Sequence, residues 1–209
     1  MTQGPTYRLI PPRRGTYSKV WIEGLLERRT LLKVGLGAAV GAGLTAAPLL
    51  GWAEPLTDAS MRSVAMSNLH TGESIEAVYW ADGDYIPDVL DAVNYHLRDF
   101  RTGDVHPIDP KLLDLLDAVN TKTETKGRFE VISGYRSAAT NAMLRERSEE
   151  VAKKSFHMSG MAIDVRLPDV DLSRLHGAVL SLGLGGVGYY PESNFVHMDV
   201  GPQRCWQGA

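Results

Sequence analysis

The sequence predicts an α+β fold, a small antiparallel sheet with flanking helices, on three observations. Segments whose apolar residues recur at helical spacing lead the body of the chain, at 86–103 and 109–122. Segments whose apolar residues alternate, at 128–137, 161–167 and 186–201, cluster with the polar residues of greatest chemical interest. Finally, Cys205 is the single cysteine among 209 residues, so neither an internal disulfide nor a multi-cysteine metal site organises the chain. Hydrophobic content of 44% and charged content of 22% suffice to build a core.

Residues 1–53 read as an export address rather than part of that fold. Arg28–Arg29 and Leu31–Leu32–Lys33 precede an uncharged run, Val34 to Trp52, which ends on small residues before Glu54. This is the charged, apolar and small-residue order of a secretory signal. The arginine pair resembles the twin-arginine (Tat) consensus, with Glu27 and Leu31 as variations, and the Gly/Ala-rich run is weakly hydrophobic, as such signals are. The expected partner is therefore the Tat export machinery, the expected location the periplasm or cell envelope, and the expected cleavage site near Ala53. An uncleaved anchor is the other reading of the same run, because about 19 residues lie near the lower limit for a spanning helix. Membrane contact would then be confined to this segment. Residues 54–209 form the folded domain.

Along that domain, 66–80 reads as two short strands around Thr71–Gly72. In 86–103, Val89, Leu90, Val93, Leu97 and Phe100 share one helical face that ends at Gly103. In 109–122, Asp109 is a candidate N-cap with Pro110 at the first helical position. Phe129, Val131 and Ser133 alternate along a strand that runs into a turn, and Ala138 to Lys154 reads as an amphipathic helix. Residues 161–167 alternate again, 171–186 is a helix ending in glycines, and 186–201 is two strands joined by Pro191–Glu192–Ser193–Asn194.

The net charge of -3 hides an asymmetry. Residues 1–53 hold seven Lys/Arg against two Asp/Glu, which leaves 15 against 23 in residues 54–209. An acidic body excludes a nucleic-acid binder, which needs a basic surface to displace counterions from phosphates.

Three motifs carry candidate chemistry. In SFHMSGMAIDV (155–165), His157 precedes Gly160, and Asp164 lies in an alternating strand. Imidazole plus carboxylate is a ligand set suited to zinc, although a core histidine near a surface acid has the same spacing. In NFVHMDVG (194–201), alternation puts Phe195, His197 and Asp199 on one strand face. If that face is buried, a metal or a hydrogen-bonded pair must offset roughly 2–7 kcal/mol for each polar group. In SGYRS (133–137), Arg136 offers a permanently charged fork at the end of a strand. His70, His96, His106 and His176 lie outside these motifs and are expected at the surface or in caps. Trp80, Tyr135, Tyr189, Tyr190 and Trp206 are candidates for a sugar or peptide groove.

The order SGYR, then S-x-H-x-x-G-x-A-x-D, then a C-terminal strand bearing His resembles the zinc peptidases that include D-Ala-D-Ala carboxypeptidases, lysostaphin-type enzymes and hedgehog-like folds. Ser155, His157, Gly160, Ala162 and Asp164 match the five fixed positions. NLHTGE (68–73), LRDFRTGDVHPIDPKLLDLL (97–116) and GVGYYPESNFVHMDVG (186–201) resemble the YcbK-like, or murein endopeptidase K, branch. The resemblance implies a hedgehog/DD-peptidase-like fold and one zinc ion held by His157, Asp164 and His197. It further implies metal-assisted hydrolysis of amide bonds in peptidoglycan stem peptides or cross-links, with Arg136 on the oxyanion or a substrate carboxylate. Many relatives carry an acid three residues before the last ligand or a histidine two before it; here Asn194 and Phe195 stand there. Asp199 is then the expected general base, Glu192 the second candidate, and orientation of a ligand imidazole the other role open to Asp199. Because no base stands at the usual position, a non-catalytic, zinc-stabilised peptidoglycan- or protein-binding module is the alternative function.

Overall fold

A computed structural model of the chain describes residues 6–9, 61–148 and 151–208. The twin arginine, the apolar run and the boundary at 53/54 lie outside the described residues. Among the described residues no helix is long and apolar enough to cross a membrane.

The strands are β1 (Thr6–Leu9), β2 (Met61–Asn68), β3 (Ser74–Ala81), β4 (Asp84–Tyr85), β5 (Phe129–Ser133), β6 (Ala162–Arg166), β7 (Gly186–Tyr190), β8 (Phe195–Asp199) and β9 (Arg204–Gln207). They form one sheet in the order β1-β3-β2-β5-β6-β8-β7-β9, with β4 paired to β3. The helices are α1 (Pro87–His96), α2 (Pro110–Thr123), α3 (Ala138–Arg145) and α4 (Leu172–Leu182), with a 3-10 turn at Phe156–Ser159. The class is the expected α+β, but the sheet is neither small nor purely antiparallel. Among the described residues nine strands take part, and β1/β3, β2/β5 and β7/β9 pair in parallel. The additional strands are short edge pieces. β1 falls inside the segment read as a leader, and β4 and β9 are too brief to show alternation in the sequence.

Helix signals read from the sequence have concrete partners. Asp109 caps α2 by accepting the Lys111 backbone N–H at 3.0 Å, with Pro110 at the first position. α1 stops at His96, seven residues before Gly103, because Leu97 leaves the helix to pair with the 134–137 turn: the Tyr135 N–H donates to its carbonyl at 2.8 Å. α3 ends at Arg145, nine residues short of Lys154.

One sheet face holds the core. Val64 and Met66 of β2, Ile75, Ala77 and Tyr79 of β3, Ile163 and Val165 of β6, and Val196 and Met198 of β8 are all buried. They lie in one apolar core with Val93, Leu112, Leu116, Leu175 and Val179 from α1, α2 and α4. Each such side chain stabilises the fold by about 1.5–3 kcal/mol. The residues between them on β6 and β8, Asp164, His197 and Asp199, point to the opposite face and are buried as well. His96, expected at the surface or in a cap, is instead 2% exposed, and neither ring nitrogen has a partner among the described residues. Burial pushes its pKa down to about 4, so it is neutral at physiological pH.

Candidate metal centre

Strand register builds the site. Ser133 of β5 lies opposite Asp164, Asp164 opposite His197 of β8, His197 opposite Gly188 of β7, and Gly188 opposite Trp206 of β9. These five residues form a row across the sheet on the face away from the core. Directly opposed residues in an antiparallel pair hold their Cβ atoms about 4.5–5.5 Å apart, so Asp164 and His197 are bound to meet. His157 arrives from outside the sheet, on the 3-10 turn. The Ser155 hydroxyl accepts the His157 N–H at that turn's start, and Gly160, at φ 65°, ends it. A side chain on Gly160 would collide with the Pro107 carbonyl, so glycine is required for the close approach as well as for the dihedral. The Asp109 N–H to Gly160 carbonyl bond (2.9 Å) and the Arg136 N–H to His157 carbonyl bond (3.1 Å) pin the turn on both sides.

His157 Nε2, Asp164 Oδ1 and His197 Nδ1 converge. The separations are 3.2 Å between the two nitrogens, 3.2 Å from His157 to Asp164 and 2.8 Å from His197 to Asp164. Four ligands at about 2.0–2.2 Å from a tetrahedral ion lie roughly 3.3–3.6 Å apart, so small outward shifts would accommodate one. The other nitrogen of each ring is already engaged. His157 Nδ1 lies 2.7 Å from the Gly134 carbonyl, to which only an N–H can donate. His197 Nε2 lies 3.0 Å from Asp199 Oδ2 and donates to that carboxylate. In the neutral rings both inward nitrogens therefore present lone pairs toward each other and toward an anionic oxygen. That arrangement demands a cation, and the donor set fits a metal ion held by two imidazoles and one carboxylate.

The electrostatics agree. Burial alone would raise the Asp164 pKa, but the two histidines hold it well below the usual carboxylate range. Burial pushes His157 down. Burial also opposes protonation of His197, yet the Asp164 and Asp199 carboxylates outweigh it and push its pKa up to about 9. Without an ion, a proton supplies the required positive charge.

Asp199, expected as the base, occupies a different place. It is fully buried, and its oxygens receive the Gly186 N–H (3.2 Å), the Gly201 N–H (2.9 Å), His197 Nε2, and both terminal nitrogens of Arg204 at 3.0 and 2.6 Å. It bonds the outer edge of the His197 ring, away from the converging lone pairs. Glu192 sits exposed in the hairpin tip between β7 and β8. Arg136 does stand beside the cluster, with Nη2 3.6 Å from Asp164 Oδ2 and a buried Nε that has no partner among the described residues. Trp206 closes the other side, its ring centroid 5.1 Å from that of His197. It lies over Gly188, where a Cβ would come within 2.6 Å of the indole, and donates to the Tyr190 hydroxyl at 2.9 Å. Trp80 lies on β3 under Arg62, outside this row. The Gly134 carbonyl and Arg204 escaped the sequence reading. A backbone acceptor leaves no residue signature, and Arg204 sits in a strand too short to recognise.

Residues 57–206 match the family described as Peptidoglycan L,D-endopeptidase MepK. The chain belongs to this family. It is 44% identical over 180 residues to the Peptidoglycan L,D-endopeptidase MepK of Escherichia coli K12, covering 86% of this chain and 97% of that protein. It is 42% identical over 149 residues to the Probable peptidoglycan L,D-endopeptidase MepK of Haemophilus influenzae Rd, covering 71% and 80% respectively. No solved structure matches the chain significantly.

Proposed function

We propose that this protein is a zinc-dependent endopeptidase of the cell envelope that hydrolyses L,D-type amide bonds in peptidoglycan cross-links, such as those between two diaminopimelate residues. The observation that carries the reading is the convergence of His157 Nε2, His197 Nδ1 and Asp164 Oδ1, in a chain whose relatives are named for this activity. A two-histidine, one-carboxylate set leaves a fourth position open, as catalytic rather than structural zinc requires. When bound, zinc would lower the pKa of a water in that position toward about 7 and polarise the scissile carbonyl.

The chain's own groups then divide the remaining work. Gly134 and Asp199 orient the two imidazoles and set their tautomers. Arg136 offers its fork, including the unpartnered Nε, to the developing oxyanion or to a substrate carboxylate. With its acceptor sites filled, Asp199 acts as a positioning residue and not as the base. Glu192, on the hairpin tip, is the candidate proton acceptor. The Arg28–Arg29 segment supports export to the periplasm by the Tat machinery.

Digestion of purified sacculi by zinc-loaded protein, with and without a chelator, tests the reading. Release of new muropeptides that the chelator abolishes is the expected result. Their absence at full zinc loading sinks the peptidase and leaves a zinc-stabilised binding module. Asp199→Ala should weaken zinc binding roughly tenfold to a hundredfold while turnover at saturating zinc persists. Unchanged zinc affinity with lost turnover would return the base role to Asp199.

A further inference from the structure

The segment LRDFRTGD (97–104) contributes no metal ligand, yet it is built against the site. The Tyr135 N–H donates to the Leu97 carbonyl (2.8 Å), and the Ser137 N–H donates to the Asp99 carboxylate (2.9 Å). These bonds clamp both sides of Arg136 to the segment. Asp99 also takes the Arg101 N–H at 3.0 Å, and its own N–H and carbonyl bond Asp104 and Gly103, closing a tight loop around one buried carboxylate. The loop presents Arg101. Its guanidinium lies 4.2 Å over the Phe100 ring, and Phe100 stacks on His70 at 3.8 Å. The His70 Nε2 reaches the Ile132 carbonyl at the end of β5.

Arg101 is exposed and, among the described residues, faces no carboxylate. Arg62, Arg98, Arg128, Arg136, Arg166 and Arg204 each have one at ion-pair distance. Arg145, Arg147 and Arg174 likewise show no ion pair among the described residues, but Arg101 is the one carried by the loop bonded to both neighbours of Arg136. The acids of its own loop are engaged, Asp99 with backbone N–H groups and Asp104 with the Thr102 hydroxyl (2.9 Å). One carboxylate ties the two arginines' segments together: Asp99 takes the Arg101 N–H on one oxygen and the N–H of Ser137, the residue after Arg136, on the other. The loop therefore carries a second guanidinium into the neighbourhood of the turn that bears Arg136.

We propose that Arg101, held beside Arg136 by the Asp99-clamped loop, is a second guanidinium of the substrate site and receives a free carboxylate of the stem peptide. This rests on the peptidase reading. A guanidinium fork matches a carboxylate with two parallel hydrogen bonds, and stacking on Phe100 pre-orders the fork. The contact exists in both ground and transition states, so it lowers KM rather than raising kcat.

The test compares zinc-loaded wild type and Arg101→Gln on a cross-linked muropeptide and on the same muropeptide with its free carboxylates converted to carboxamides. Wild type should prefer the carboxylate substrate roughly tenfold to a hundredfold in kcat/KM, the loss expected when a charge-assisted hydrogen bond is removed. R101Q should show that loss in KM, keep kcat and zinc stoichiometry, and no longer distinguish the two substrates; Arg101→Lys should recover part of the preference. An R101Q enzyme that matches wild type, or still discriminates against the carboxamide, overturns the inference alone. A wild type that cleaves neither substrate overturns the peptidase reading and this inference with it.

Discussion

Strands β6 and β8 present two buried faces made by the same alternation, and the two faces are held by different physics. On the helix side, Ile163, Val165, Val196 and Met198 are buried without specific partners, and any well-fitting apolar group would satisfy them. On the other side Asp164, His197 and Asp199 are also buried, and almost every polar atom has a named partner at a defined distance. The apolar face tolerates variation in shape at the cost of stability. The polar face tolerates none in chemistry, because an unpaired group there loses its hydration with no return. Stability and function should therefore separate by face within a single strand.

The largest expected effect is on the polar face. His157→Ala removes one of the three proposed ligands, the ring fixed by the Gly134 carbonyl. Stoichiometric zinc and muropeptide release should both vanish, read by elemental analysis and by chromatography of digested sacculi. Full zinc occupancy in this variant would remove His157 from the ligand set.

Met198 lies between His197 and Asp199 and points the other way, which makes it the sharpest contrast. Met198→Ala should cost about 2–5 kcal/mol in urea unfolding through the cavity it leaves. Zinc stoichiometry and KM measured well below the unfolding midpoint should not change. A variant that loses zinc while folded would show that the two faces are not independent.

How much of this was legible follows the same division. Alternation in FVHMD put His197 on the face opposite Met198, and His157 and Asp164 of the S-x-H-x-x-G-x-A-x-D motif lie within 3.2 Å of each other. Alternation could not tell which edge of the His197 ring Asp199 would reach, and the proposed orienting role rests on that edge. The answer depends on Arg204 and on the Gly186 and Gly201 N–H groups, which arrive from β9 and two turns with no periodic signal. The antiparallel expectation failed at the centre, where β2 pairs β5 in parallel, and at both edges, where a related reason holds. β1 and β9 are four residues each, and nothing in so short a run announces a parallel neighbour.

Asp99 separates burial of an acid from metal binding. It is 2% exposed, like the site carboxylates, but its partners are hydrogen-bond donors alone. Burial by itself would raise its pKa; bonds from the Thr140 and Ser137 side chains and the Ser137 and Arg101 backbone N–H groups override this and bring it down to about 2. The folded state thus favours the ionised form, so the contribution is complete above the ordinary pKa near 4 and disappears as pH falls toward about 2. Its size is about 2 kcal/mol. Stability of the wild type measured against Asp99→Asn should show a difference that is flat above about pH 5 and shrinks below it. A difference independent of pH would mean that Asp99 acts through shape rather than charge.

The smallest effect concerns Arg204, which is partly exposed yet grips the fully buried Asp199 with both terminal nitrogens. Arg204→Gln leaves Asp199 three donors, the Gly186 and Gly201 N–H groups and His197, so the imidazole keeps its tautomer. What weakens is the hold on the carboxylate, one step removed from the ligand. Zinc affinity by chelator competition should fall roughly threefold to tenfold, less than for removing Asp199 itself, with KM for muropeptides unchanged. An effect as large as that of Asp199→Ala would show that the polar face depends on its solvent-exposed rim as much as on its buried centre. The contrast between the two faces would then be one of connectivity rather than depth.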